Sequence, residues 1–167
     1  MRMKLNGNKR DTVSLVYRSD EASVTIPIGA PICLVLDGTD DGLAAILPSG
    51  SAAKAHAVAF GVSLGAVAPG IDGEAQVFGF CLKTSMLLQT RAATTDSWSA
   101  STQSLGVLLN IDTVNNVFST SGGTLAKTSY LPFAVLAESS AIAASASATS
   151  DTRTVNTGYL KTFLRMM

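Results

Sequence analysis

Ser63 stands at the centre of Gly61-Val62-Ser63-Leu64-Gly65, the G-x-S-x-G spacing of a hydrolase nucleophile elbow, in which a serine on a sharp strand-to-helix turn is activated by a histidine. The flanking residues argue against that chemistry. Pro69 and Gly70 interrupt any helix soon after the serine, and the sole histidine, His56, precedes it, whereas the elbow's histidine follows its nucleophile. Ser51-Ala52-Ala53-Lys54 fits S-x-x-K, a serine with a lysine base, but its companion motifs are missing. There is no Ser-Asp-Asn, and Lys83-Thr84-Ser85 and Lys127-Thr128-Ser129 carry Ser where the third motif has Gly. Asp37, Thr39, Asp41 and Gly42 imitate part of a calcium loop, yet the place that must supply a bidentate glutamate is Pro48. His56 has no second ligand beside it and reads as a strand-edge residue. Two isolated cysteines, Cys33 and Cys81, do not make a zinc site with one histidine. No catalytic, metal or cofactor-binding residue is assigned, and the chain reads as a non-enzyme.

The elements that would have to position such groups are strands. Residues 56–81 form two Gly-punctuated apolar segments about Pro69-Gly70 and Asp72-Gly73, the pattern of a β-hairpin. Upstream, residues 23–26 read as a short strand ended by Pro27. The continuous apolar run 32–36 suits a strand buried on both faces, and 43–47 returns as a strand after the Asp/Gly-rich turn 37–42. Downstream, a polar excursion over 90–102 contains Trp98, the only tryptophan. A second hairpin joins 105–109 to 117–119 across 112–116, and Gly122-Gly123 breaks the chain. The run 131–137 is a strand with Pro132 near its start. The Ala/Ser-rich stretch 139–150 reads as a flexible connection or a short helix. Tyr159, Lys161 and Phe163 alternate with Leu160, Thr162 and Leu164 in a closing strand. Many short strands without a helical period give an all-β fold, a small barrel or sandwich with long loops and an extended N-terminal arm. The arm spans 1–22 and the β-rich domain 23–167, with 82–123 as a possible inserted subdomain.

Charged residues are 14% of the 167, against about 25% in an ordinary soluble domain, so the surface lacks the charge that keeps diffusing monomers apart. Cover by other subunits is expected. Twelve basic and twelve acidic residues cancel, leaving no long-range field towards nucleic acid or an anionic membrane, and no basic strip with interleaved aromatics stands out. No run approaches the ~20 apolar residues of a membrane helix, and the first residues lack the apolar core of a signal peptide. A cytoplasmic origin follows as the expectation, with Cys33 and Cys81 as reduced core residues.

The successions IPIGAPICLVLDG (26–38), HAVAFGVSLGAVAPGIDGEAQVFGF (56–80) and YLPFAVLAESSA (130–141) resemble the capsid decoration, or cement, proteins of tailed bacteriophages. The matching positions are 29–36, Phe60-Gly61-Val62 and 73–79. The turn 36–42 is similar to an Asp-Gly-Thr-x-Asp-Gly turn of lambda-type head decoration proteins, and 82–123 has no counterpart. The resemblance implies a β-rich, non-enzymatic virion protein, assembled in the host cytoplasm. It would bind the major capsid protein on the outside of the shell, often as a homotrimer, and brace the capsomers. No cofactor, no direct nucleic-acid contact and no membrane are implied. The candidate capsid or subunit contacts are Arg2, Lys4, Lys9, Arg10 and Arg18 of the basic arm, Trp98 in its loop, and Tyr159 and Phe163 of the last strand. The alternative is a carbohydrate-binding or adhesive module that stacks a sugar on Trp98.

Overall fold

The computed structural model describes residues 3–5, 12–35, 44–48, 58–92, 97–98, 101–112, 114–120, 134–143, 145–146 and 155–165. Fourteen strands and no helix occur among them. The first five that matter are β2 (Val13–Ser19), β3 (Pro31–Leu34), β4 (Ala44–Ile46), β5 (Val58–Ser63) and β6 (Asp72–Ala92), with a short β1 (Met3–Leu5) alongside β2. In β2, Leu15, Tyr17 and Ser19 are buried while Arg18 is exposed, the period-two pattern of a half-buried strand. In β3 successive residues Ile32 and Cys33 are both buried, in two different clusters, so that strand has protein on both faces.

These strands close on themselves. β2 runs parallel to β4, and β4–β3, β3–β5, β5–β6 and β6–β2 are antiparallel, which returns the ladder to its start as a closed five-stranded barrel. The all-β barrel expected from sequence is the observed fold. A five-stranded barrel has little interior room, and the lining obeys that limit: Ala30, Ala45 and Ala75 surround the single large ring of Tyr17, with Ile26, Ile32, Leu47 and Val67 filling the remainder.

β6 outruns the barrel. Its first part pairs with β2 as far as Phe78, and from Gly79 onward it pairs with β14 (Val155–Leu164). Gly79 has φ 92°, a conformation that side chains resist, and it marks the point where the strand changes partners. Beyond it a second ring of backbone hydrogen bonds forms. β14 pairs with β11 (Ala134–Leu136), and β11 bonds to residues 107–109, with Leu109 N–H donating to Ala134 O at 2.9 Å and Leu136 N–H to Val107 O at 2.9 Å. That segment continues into β9 (Asn110–Asp112), which pairs with β10 (Val117–Ser119), and β10 returns to β6 at Phe118 opposite Met86. Met86, Phe118, Leu109, Ile111, Leu136, Leu160 and Leu164 fill this second ring. Two hydroxyls buried with them, Thr84 and Thr162, satisfy each other at 2.6 Å. Small accessory ladders join β7 (Ser97–Trp98) to the end of β6 and to β13 (Ser145–Ala146), while β8 (Ser101–Gln103) and β12 (Ser140–Ile142) pair as a separate two-stranded sheet.

Several expectations are revised. The hairpin of β5 and β6 forms with Ser63 opposite Ala75, but its tight turn is at Pro69-Gly70 alone, where Ile71 N–H reaches Ala68 O at 3.2 Å; Asp72 and Gly73 already belong to β6. The segment 23–26 contributes only an isolated bridge, Ile26 to Val67. The arm expected over 1–22 is shorter: β2 is a barrel wall, because burying Tyr17 and Leu15 outweighs the freedom of a basic terminus, and β1 pairs with it at 13–15. The second hairpin is displaced, its strands being β9 and β10, since Leu105-Gly106 is itself a turn with Gly106 at φ 82°. The Ala/Ser run supplies strands β12 and β13 where a helix or loose connection was expected; pairing with β8 and β7 overrides the helix preference of alanine. Residue 82, the start of the possible inserted subdomain, lies inside β6.

Candidate interaction surface

The serine of the hydrolase-like motif ends β5 and is fully buried. Its Oγ donates to Gly65 O at 2.7 Å, which uses its one hydrogen, so the Tyr17 hydroxyl 2.7 Å away must be the donor to Ser63. Burial pushes the Tyr17 phenol above its ordinary value of 10.0, with the Ser63 hydrogen bond acting in the opposite direction. Among the described residues Ser63 is held by a neutral phenol and a carbonyl with no base beside it, and the chain continues into a strand-like bridge where an elbow needs a helix. Ser63 closes the core. His56, Ser51, Lys54, Asp37, Thr39, Asp41 and Gly42 lie outside the described residues. Among the described residues no group of three His, Cys, Asp or Glu side chains could hold a metal.

The surface is more informative than the interior. Along β14, Leu160, Thr162 and Leu164 point into the second ring, so Tyr159, Lys161 and Phe163 point away from it. Across the ladder Phe163 faces Phe80, while a register shift between Leu160 and Thr162 sets Leu82 and Lys83 together against Lys161. That bulge lets two consecutive β6 residues, Leu82 and Lys83, both reach solvent. The outcome is an aromatic row. Phe163 meets Phe78 edge-on at 5.6 Å and Phe80 edge-on at 5.1 Å, and Lys161 Nζ stands 4.7 Å above the Phe80 ring. Phe80 is 50% exposed, Leu82 68% and Tyr159 52%, which is far more than large apolar side chains on a folded face normally show as neighbours.

The row is braced from the first barrel. Gly29, at φ 79°, receives the N–H of Ser85 on its carbonyl at 2.8 Å and gives its own N–H to Ser63 O at 2.8 Å. A side chain there would strike the backbone of Lys83 and the ring of Tyr159. The tyrosine therefore lies over a glycine, and its orientation is fixed by the other ring's loop.

Of the contacts expected from sequence, the structure brings together Tyr159 and Phe163. Arg18 is exposed on β2 opposite Asp72, six residues before Phe78 on β6, at the rim of an open cleft of about 400 Å³ lined also by Asp20 and Glu21. Lys4 lies in β1 with its backbone paired to Ser14. Arg2, Lys9 and Arg10 lie outside the described residues. Trp98 is a correction: at 7% exposure in β7 it is a buried anchor, with no open ring face for a sugar. Phe78, Phe80, Leu82 and Lys83 were missed because VFGFCLK reads as a buried hairpin strand; Phe78, Phe80 and Leu82 alternate outward against buried Val77, Gly79 and Cys81, and the bulge adds Lys83. The alternation Tyr159, Lys161, Phe163, Arg165 is also a short basic strip with interleaved aromatics, which the sequence reading passed over.

No protein family model, curated protein or solved structure matches this chain.

Proposed function

We propose that the chain is a non-enzymatic structural protein of a bacteriophage virion, one that binds the outside of the capsid and stabilises the shell, and that it docks through the outward face of β6 and β14. The observation that carries this reading is the exposed row of Phe80, Leu82 and Tyr159, packed about a half-buried Phe163, on the double-ring frame. Exposed aromatic residues in one patch are the usual anchors of a protein interface, since they contribute large contact area with few rotors to freeze. The resemblance of 26–38, 56–80 and 130–141 to decoration proteins supplies the partner, the major capsid protein, and the homotrimeric arrangement. Stabilisation would be linkage: a protein that binds only the assembled shell shifts the equilibrium towards it, and many symmetric copies make modest contacts effective.

Co-sedimentation with intact capsids of the phage that encodes the chain tests the reading. The unaltered protein is expected to pellet with capsids and to raise their melting temperature. Phe80→Ser with Tyr159→Ser should abolish this, and Val114→Ser, at the exposed turn between β9 and β10, should not. A protein that never co-sediments with capsids would refute the assignment.

A further inference from the structure

We infer that the β6/β14 face receives an extended acidic segment of a protein partner, with carboxylates four residues apart flanking an apolar residue. This rests on the reading of the face as a docking surface and names the chemistry it takes. Residues 78–88 and 157–165, which build the face, contain Lys83, Lys161 and Arg165 and not one Asp or Glu, although the whole chain is neutral. Lys83 and Arg165 are exposed at its borders, and Lys161 is half-buried at its centre with Nζ already held over Phe80. Glu138, which follows β11, accepts the backbone N–H of Lys161 at 2.6 Å and is thereby engaged with the strand itself. A carboxylate arriving at Lys161 Nζ meets a cation held above an aromatic ring, where the pair interacts more strongly than in open water.

Geometry sets the spacing. Lys161 and Phe163 on β14 and Arg165 just past its end fall on one side by alternation, so the Cα atoms of the two basic residues stand roughly 13 Å apart with an aromatic residue between them. An extended partner matches that with an acidic residue, an apolar residue two positions on, and a second acidic residue two positions further. Three other occupants fit less well. A second copy related by a two-fold axis would set these cations against their own counterparts. The apolar area on show is on the order of 300–400 Å², below the ~800 Å² per partner of a stable protein pair, and so suits a segment. Single-stranded nucleic acid needs open ring faces for stacking, but Phe78, Phe80 and Phe163 are locked edge to face at 71° and 66° and Lys161 covers Phe80.

The experiment is fluorescence anisotropy of the full chain with a fluorescein-labelled extended peptide carrying Glu at its first and fifth core positions and Leu at the third, titrated into the millimolar range. Parallel arms use the same peptide with Lys for Glu, an oligothymidylate, and sedimentation of the chain alone. Saturable binding of the acidic peptide is expected, weakened by added salt. Lys161→Glu should reduce affinity at least about tenfold and Lys161→Met, which keeps the aliphatic packing on Phe80, by a smaller factor. Circular dichroism confirms that each variant is folded. The inference is overturned if the acidic peptide fails to bind or binds equally well to Lys161→Glu. It is equally overturned if the oligothymidylate or a second copy occupies the face instead. Capsid co-sedimentation of Lys161→Glu separates the two claims: retained pelleting would end the acidic-segment inference and leave the capsid reading standing.

Discussion

Replacing Ser63 by alanine should destabilise the protein more than replacing its partner Tyr17 by phenylalanine, and combining the two should recover part of the loss. Both hydroxyls are buried and 2.7 Å apart, and the proton order runs from Tyr17 to Ser63 to Gly65 O. Ser63→Ala strands the Tyr17 O–H at 1% exposure and deprives Gly65 O of its donor. One unsatisfied buried hydroxyl and one lost hydrogen bond cost about 2–4 kcal/mol together. Tyr17→Phe leaves Ser63 still bonded to Gly65 and costs about 1 kcal/mol. The double variant has no stranded donor and should lie about 1–2 kcal/mol below the native protein, more stable than Ser63→Ala alone. Urea denaturation followed by Trp98 emission is suited to the measurement, because the one tryptophan is buried in the native state. The pair also has a pH signature. Because burial raises the folded-state pKa of Tyr17, the unfolded chain releases this proton first as the pH passes 10.0. Stability from this group is therefore complete below that pH and falls above it, by up to about 1.4 kcal/mol per pH unit, until the folded phenol ionises too. Tyr17→Phe should remove that component of the alkaline slope. A Ser63→Ala variant no less stable than Tyr17→Phe, or a double variant worse than either, would refute the proton order and the account of Ser63 as a closed core group.

Gly29→Ala should destabilise by about 2 kcal/mol or more, read as a drop in melting temperature, since it combines a left-handed backbone with a clash against β6 and Tyr159. Ser19→Ala should be neutral or stabilising by about 1 kcal/mol in the same assay, because the buried Ser19 Oγ has no hydrogen-bond partner among the described residues. Cys33 and Cys81, both buried thiols, should resist Ellman's reagent in the native protein and react fully in urea; rapid native labelling would contradict the packing of either core.

The architecture was legible wherever a strand's own residues determine it. Period-two burial in β14, the doubly buried run in β3 and the Pro69-Gly70 turn all follow from local pattern, whereas β2 reads from sequence as part of the arm. What was hidden depends on partners distant in the chain. Nothing in the residues 72–92 announces that one strand will serve two rings, because the change of partner at Gly79 is decided by β2 and β14, which lie on either side of it in sequence. The aromatic face shows the same divide. Tyr159 and Phe163 were visible as the outward half of an alternation, but Phe80 and Leu82 alternate with Val77, Gly79 and Cys81 in a run that is apolar on both sides, so which half faces solvent is decided by the pairing with β14. Trp98 failed in reverse: its polar neighbours suggest a loop, while its burial comes from the pairing of β7 with β6 and β13.

The double use of β6 has a consequence for how the chain matures during synthesis. Every strand of the first barrel lies within residues 13–92, so that barrel can close as soon as β6 has left the ribosome. The second half of β6 must then wait for β14, with residues 93–154 still to be made, before its ladder and core exist. The row of Phe80, Phe163 and Tyr159 spans both strands and is assembled only by that last pairing. A nascent or truncated chain therefore presents half of the proposed docking face, and a partner that needed the whole row would discriminate finished molecules from unfinished ones with no further checkpoint.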